Sequence, residues 1–155
     1  MLQHLKVILD SHYAASIAWW KLAAKSEEVY IEEASFYRKG SYRNRCHIYG
    51  ANGLLRLSIP LVKGKHQKST LQNVAISYDH DWQKLHWESL CSAYRSSPYF
   101  EFYEMDLKPY FEKETVLLKD FNYDFALAIK ELIGLNNSWE ITESYESHYE
   151  GFSDF

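Results

Sequence analysis

The sequence is poor in the residues that mark metal, redox and disulfide sites. Its 155 residues include two cysteines, Cys46 and Cys91, and neither belongs to a CxxC pair or another close-spaced motif. This pattern is typical of proteins from a reducing compartment, so we expect a cytoplasmic protein without a metal site.

Long apolar runs are absent as well. Residues 1–10 contain too short an apolar run for a signal peptide, and no later stretch reaches the roughly 18 apolar residues of a membrane span. We therefore expect a soluble protein that does not insert into membranes. The length suits one domain that buries a real core.

An excess of positive charge is also missing, since the formal net charge is −4. General nucleic-acid binders usually present a broad basic surface, so DNA and RNA are disfavoured as partners. Aromatic residues, in contrast, make up 17% of the chain, and tyrosine (13) outnumbers phenylalanine (8). This excess favours a partly solvated groove or interface lined by aromatic side chains.

The familiar catalytic motifs are absent. The chain has no GxGxxG, GxxxxGK[ST], HExxH or GxSxG sequence and no carboxylate-rich calcium loop. The simplest dinucleotide, P-loop, zinc-protease and serine-hydrolase interpretations are therefore excluded, and we expect no cofactor.

The first half of the chain predicts strands at residues 7–9 and 29–31 with a helix at 16–25 between them. Strand, helix and strand in this order favour a parallel crossover unit. Residues 45–62 alternate between apolar and polar side chains and predict a β-hairpin with its turn at Asn52-Gly53. A basic loop at 63–69 follows, which either closes on an anionic ligand or is simply solvated.

A short strand is predicted at residues 74–76, and from residue 79 onward the apolar period lengthens to about 3.6. Residues 81–95 predict a helix with Asp79 or Asp81 as its N-cap. Residues 122–132 predict a further helix with Gly134 at its C-terminal cap. The spacing predicts that the first of these helices buries Trp82, Leu85, Leu90 and Ala93.

Together these patterns predict an α/β fold: a single domain with a small mixed sheet, built from a β-α-β unit and a β-hairpin, and a helical C-terminal half. We divide the chain into a domain at 1–135 and an acidic, aromatic C-terminal tail at 136–155. No Lys or Arg follows Lys130. The tail either frays or docks by an apolar stripe, on its own core or on a second copy in a homo-oligomer: Ile141, Tyr145, Tyr149 and Phe152.

The densest charge in the chain lies at residues 37–48, where four cations fall within an otherwise acidic protein: Arg38, Lys39, Arg43 and Arg45. Cations at the entry of a strand are well placed to bind an anionic small molecule. The alternative is a solvated basic loop that pairs with the acidic residues at 27–33. Tyr13 and His12 after the first strand and His86 on the helix complete the constellation.

Seven segments spread over most of the chain form one arrangement: YAASIAWWKL (13–22), VYIE (29–32), KGSYRNRCHI (39–48), LSIP (57–60), WQKLHW (82–87), AY (93–94) and SPYF (97–100). This arrangement resembles the WbqC-like protein family. The most specific part of the resemblance is Lys39 with Asn44-Arg45, followed by a helix with Trp82 and His86. One departure is the Tyr13-Ala14-Ala15 sequence, where the family often has Tyr-x-Pro.

The resemblance implies a role in the biosynthesis of O-antigen and related surface polysaccharides. We expect transfer of an aminoacyl (glycyl) or acyl group to an amino sugar or nucleotide sugar. The alternative is a non-catalytic module of the same pathway that binds a nucleotide sugar or a partner enzyme. Either function implies a small anionic ligand, a sugar nucleotide or an aminoacyl donor.

His86 is the candidate general base, because imidazole exchanges a proton near neutral pH. Substrate binding is assigned to Tyr13, Lys39, Arg43, Asn44, Arg45 and Tyr94. Of these, we expect Lys39, Arg43, Asn44 and Arg45 to line one side of the main cleft. A structural role is the alternative for His86, and bracing of the sheet is the alternative for Arg45. The two functions differ in one observation: an enzyme needs His86 open to the basic cluster, whereas an enclosed His86 bonded to backbone favours the binding module.

Overall fold

A computed structural model describes residues 5–62 and 69–146. It has the predicted α/β architecture, with two small sheets and a helical C-terminal half. The strands are β1 (Lys6–Asp10), β2 (Glu28–Glu32), β3 (Arg45–Gly50), β4 (Gly53–Ser58) and β5 (Ser138–Ile141). The helices are α1 (Ile17–Lys25), α2 (Trp82–Tyr94), α3 (Phe100–Leu107) and α4 (Leu118–Leu132), with 3₁₀ turns at Leu71–Asn73 and Lys108–Phe111.

The first sheet is parallel, in the order β1-β2-β5, and it contains the predicted crossover through α1. Val7 lies opposite Val29, which in turn lies opposite Trp139. Val7 and Val29 are fully buried, and their face packs against Trp19 and Ala23 of α1. Ser16 caps α1, since its side chain accepts a hydrogen bond from the backbone of Trp19.

The predicted hairpin is formed by β3 and β4, which pair in antiparallel register with Gly50 opposite Gly53. Gly53 has φ 105°, a conformation that favours glycine and closes the tight turn. Cys46 and Leu57 face the core from this hairpin. The strand predicted at 74–76 is instead a pair of isolated bridges that follow a 3₁₀ turn. Most of the predicted loop at 63–69 lies outside the described residues.

Helix α2 begins directly after Asp81, one of its two predicted N-caps, but the prediction that Leu85 is buried was wrong. Trp82 is 4% exposed, whereas Leu85 is 61% exposed. The inward positions include Gln83, whose amide donates hydrogen bonds to the backbone oxygens of Tyr110 and Lys113 at 3.0 and 2.8 Å. Leu90 and Ala93 are partly buried against the core.

The helical spacing predicted for the tail is wrong at Ile141, because residues 138–141 form β5. The strand pairs in parallel with β2, and Asn137 just before it donates to the carbonyls of Ala23 and Ser26 at 2.7 and 2.9 Å. Tyr145 is exposed, and Tyr149 and Phe152 lie outside the described residues. Within 5–62 and 69–146, none of the helices has the length and apolar character needed to cross a membrane.

Candidate functional site

A pocket of about 260 Å³ lies at the carboxyl end of β1, between the turn that enters α1 and the start of β3. The N-cap of α1, Ser16, forms part of its wall. Crevices at the carboxyl ends of parallel strands are the usual ligand sites of α/β folds. The pocket is lined by His12, Tyr13, Ala14, Ala15, Ser16, Tyr42, Cys46 and His47.

Tyr13 and His86, which the sequence separates by most of the domain, meet behind this pocket. The Tyr13 hydroxyl lies 2.8 Å from Nδ1 of His86, and the two rings stack with their centroids 5.6 Å apart. The two residues are 1% and 2% exposed. His86 is therefore enclosed by the core, with the Trp82 ring against its other side at 5.1 Å.

The environment of His86 favours the neutral imidazole. Burial lowers its pKa to about 4, and a hydrogen bond with the backbone of Ser58 acts in the opposite direction. A backbone group that raises a histidine pKa is a carbonyl that accepts from the ring. Nε2 therefore donates to Ser58, and Nδ1 accepts from Tyr13, so both nitrogens are occupied.

Arg43 is buried rather than presented to a ligand. Its guanidinium is 5% exposed; Nη1 donates to the backbone oxygen of Phe36 at 2.8 Å and Nη2 to Asp10 at 3.1 Å. Nη2 also donates to the Ser35 hydroxyl. The side chain thus joins the carboxyl end of β1 to the segment that follows β2.

Asn44 has a comparable bracing position. Its amide accepts from the Tyr37 hydroxyl at 3.0 Å and donates to the backbone oxygen of Ile59 at 2.9 Å. Arg45 is partly buried beneath Gly40, and its Nε has no hydrogen-bond partner among the described residues. Lys39 is exposed. None of Lys39, Arg43, Asn44 and Arg45 lines the 260 Å³ pocket.

Tyr94 lies apart from the other predicted site residues. It ends α2, two helical turns or about 12 Å beyond His86. Its ring lines a separate apolar pocket of about 230 Å³ with Trp87 and Phe100. A larger cavity of about 710 Å³ lies between α3 and α4, and it too contains none of the predicted site residues.

Two imidazoles lie in the pocket: His12, which the sequence placed in the constellation without a role, and His47, which we did not assign to the site. His12 and His47 flank Tyr42, with ring centroids 5.9 and 5.8 Å from the tyrosine. Burial lowers the pKa of His12, with Arg43 acting in the same direction and Asp10 against it. The alternation of β3 was the signal for His47, because it directs His47 outward and Cys46 inward. Burial raises the pKa of the Cys46 thiol to about 12, which leaves it a poor nucleophile.

A second polar group that we did not assign to the site contains Glu33, Lys119 and Asn122. Glu33 follows β2 and is 2% exposed, and burial raises its pKa to about 7. Lys119 Nζ lies 4.0 Å from Glu33 Oε2. In the described parts of the chain, no cluster of three or more His, Cys, Asp or Glu side chains has the arrangement of a metal site.

Comparison with known proteins agrees with the resemblance noted in the sequence. The model of the WbqC-like protein family matches residues 10–152. The chain belongs to the WbqC-like protein family. An uncharacterised protein of Mycobacterium tuberculosis, Rv1507c, is 31% identical over 140 residues, which cover 86% of this chain and 59% of that relative. The chain thus spans less than two thirds of the length of this relative. No solved structure matches the chain.

Proposed function

We propose that this WbqC-like chain binds an anionic small molecule of the nucleotide-sugar class in the pocket at the carboxyl end of β1, within surface-polysaccharide biosynthesis. The enclosure of His86 is the observation that favours binding over catalysis by that residue. Its two nitrogens are occupied and its burial opposes protonation, so it is poorly placed to accept a proton from a substrate.

The pocket has features suited to an anion. The N-terminus of α1 carries partial positive charge, and its first turn contains no acidic residue. Tyr42, which is 54% exposed, and His47 offer ring faces to a base or sugar. The pocket volume of about 260 Å³ suits one moiety of a nucleotide sugar, since pockets for complete ligands usually measure about 300–1,000 Å³.

Aminoacyl or acyl transfer is the second candidate function. The observation that favours it is the presence of His12 and His47 in the pocket, because imidazole is the side chain best suited to proton exchange near neutral pH. On this proposal the general base is one of these two residues, and His86 positions Tyr13 behind them.

Calorimetric titration with a panel of nucleoside diphosphate sugars tests the binding proposal. Ser16→Asp keeps a good N-cap but adds a negative charge at the pocket, so we expect it to weaken binding about fivefold or more. Ser16→Asn, which caps without the charge, is the matched control and retains binding. Equal affinity of the two variants, or no binding by the parent, contradicts the proposal.

Mass spectrometry of an amino-sugar nucleotide incubated with an activated glycyl donor tests the transferase candidate. If the protein transfers the glycyl group, we expect His47→Ala or His12→Ala to lower the rate about 10²–10⁴-fold while ligand binding persists. Binding without product in the parent supports the non-catalytic module.

A further inference from the structure

A long segment in the middle of the chain carries no acidic side chain. Residues 34–78 contain eight Lys and Arg but no Asp or Glu, although the formal net charge of the whole chain is −4. The segment includes both strands of the hairpin and three residues that line the proposed pocket, Tyr42, Cys46 and His47. The hairpin side of the pocket is therefore formed by a basic part of an acidic protein.

Arg56 is the basic residue of β4, and the hairpin register places it beside the pocket. Antiparallel pairing sets Arg56 directly opposite His47, which lines the pocket. The Cβ atoms of such a pair lie about 4.5–5.5 Å apart. Side chains alternate along each strand, and the neighbouring pair, Cys46 and Leu57, is buried, so His47 and Arg56 share the outer face of the hairpin.

The Arg56 side chain is available to an external anion. It is exposed, and in the part of the chain that the structure describes no carboxylate forms an ion pair with it. Arg43, in contrast, is buried and lies 3.1 Å from Asp10. A guanidinium presents paired N–H groups that match the oxygens of a phosphate, so Arg56 suits a phosphate at the edge of the pocket that His47 forms.

The opposite wall of the pocket complements Arg56. Ser16, the N-cap of α1, lines the same pocket of about 260 Å³ as His47. An anion at the pocket mouth thus lies between the partial positive charge of the helix N-terminus and the full charge of Arg56. Because this volume suits one moiety of a nucleotide sugar, the remainder of the ligand extends outside the pocket, and the outer face of the hairpin gives it a basic surface.

We propose that Arg56 binds the diphosphate group of a nucleoside diphosphate sugar at the mouth of this pocket. This inference rests on the proposed function and adds to it the residue that recognises the diphosphate. It also separates the roles of two arginines, because Arg43 braces the fold whereas Arg56 contacts the ligand.

Calorimetric titration with inorganic pyrophosphate tests the phosphate subsite without a nucleotide. We expect the parent protein to bind pyrophosphate, and Arg56→Gln to bind it about fivefold or more weakly, because a neutral amide replaces the guanidinium. Arg95→Gln is the matched control: it removes the same charge directly after α2, where Arg95 lies 3.7 Å from Glu104, and it retains the affinity of the parent. Equal affinities of the two variants, or no pyrophosphate binding by the parent, overturn the inference.

Titration with nucleotide sugars separates the failure of this inference from the failure of the proposed function. We expect Arg56→Gln to weaken binding of a nucleoside diphosphate sugar about fivefold or more and to leave the affinity for the free nucleoside, which has no phosphate, unchanged. If a nucleotide sugar binds the parent and Arg56→Gln equally well, the proposed function stands and the inference is overturned. If pyrophosphate binding depends on Arg56 but no nucleotide sugar binds the parent, the phosphate subsite stands and the proposed function fails.

Discussion

Burial acts in opposite directions on the pKa values of two ionisable residues described above, His86 and Glu33. A buried histidine is held neutral because burial opposes protonation, so its pKa falls, whereas a buried carboxyl is held neutral because burial opposes ionisation, so its pKa rises. His86 is shifted to about 4 and Glu33 to about 7. Both residues therefore link folding to pH over nearly the same interval.

His86 makes the folded protein less stable in acid. Below pH 6.5 the unfolded chain protonates this residue while the folded state does not, so stability falls as the pH drops from 6.5 to about 4. This loss of unfolding free energy is on the order of 3 kcal/mol across that interval, and we expect His86→Gln to remove it. Urea unfolding of parent and variant at several pH values measures the difference. Parallel pH profiles for the two proteins would show that His86 does not titrate in this way.

Glu33 has the opposite effect. The unfolded chain ionises this carboxyl near pH 4.5, but the folded state keeps its proton to about 7, so stability is lost as the pH rises between these values. We expect Glu33→Gln to be more stable than the parent at pH 8 by about 3 kcal/mol or less, with little gain at pH 4. Glu140→Gln on exposed β5 is the control and has no such pH-dependent gain. A constant difference across the range would contradict the prediction.

The sequence could supply the residue types of the site but not the direction of each side chain. Tyr13 and His86 were both chosen, and they do meet, yet only the fold shows that their bond faces the core. Arg43 was chosen for its charge. Its role as a buried link to Asp10 depends on a contact between distant segments, which no local spacing indicates.

At the level of elements, local signals located the helices and strands well. Asp81 was one of the two predicted N-caps of α2, and the Asn52-Gly53 turn located the hairpin. The inward face of α2 was less predictable, because a hydrophobic pattern predicts burial for Leu85 and exposure for Gln83. The Gln83 amide is accommodated by two carbonyls in and just after the 3₁₀ turn at Lys108–Phe111, which a hydrophobic pattern does not reveal.

The corrected face of α2 changes the expected cost of a substitution there. Leu85 is 61% exposed, so we now expect Leu85→Ala to alter the free energy of unfolding by no more than about 0.5 kcal/mol. Leu118→Ala is the matched comparison, since Leu118 is fully buried at the start of α4, and it should cost about 2–5 kcal/mol. Urea unfolding of both variants measures this. A loss of unfolding free energy above about 2 kcal/mol for Leu85→Ala would show that Leu85 is buried, as the sequence spacing predicted.

At the scale of the whole molecule, the parallel sheet depends on a pairing that spans most of the chain. β2 is the central strand, and its second neighbour, β5, is contributed by the acidic tail. The four residues of β5 are too few to show a period of two. The prediction for the tail therefore followed the helical spacing of the apolar residues that come after the strand. The family match, which continues to residue 152, includes this strand.

The importance of β5 can be measured by comparing two truncations. A chain ending at residue 142 keeps the strand, whereas one ending at residue 136 loses the pairing with β2, the Asn137 bonds to the end of α1 and the Trp139 ring. That ring stacks on Trp20 at 5.7 Å and meets Trp19 edge-on at 5.6 Å. We expect the shorter chain to be several kcal/mol less stable, with a melting temperature roughly 10 °C lower.

Point variants test the contribution of the β5 region without changing the length of the chain. Asn137→Ala should destabilise the full chain by about 1–3 kcal/mol, because it leaves the Ala23 and Ser26 carbonyls without their amide donor. Asn136→Ala, at the exposed neighbouring position, should have almost no effect. Calorimetry of all four proteins provides the test. Equal melting temperatures for the two truncations, with Asn137→Ala as stable as Asn136→Ala, would mean that the parallel sheet does not need its third strand.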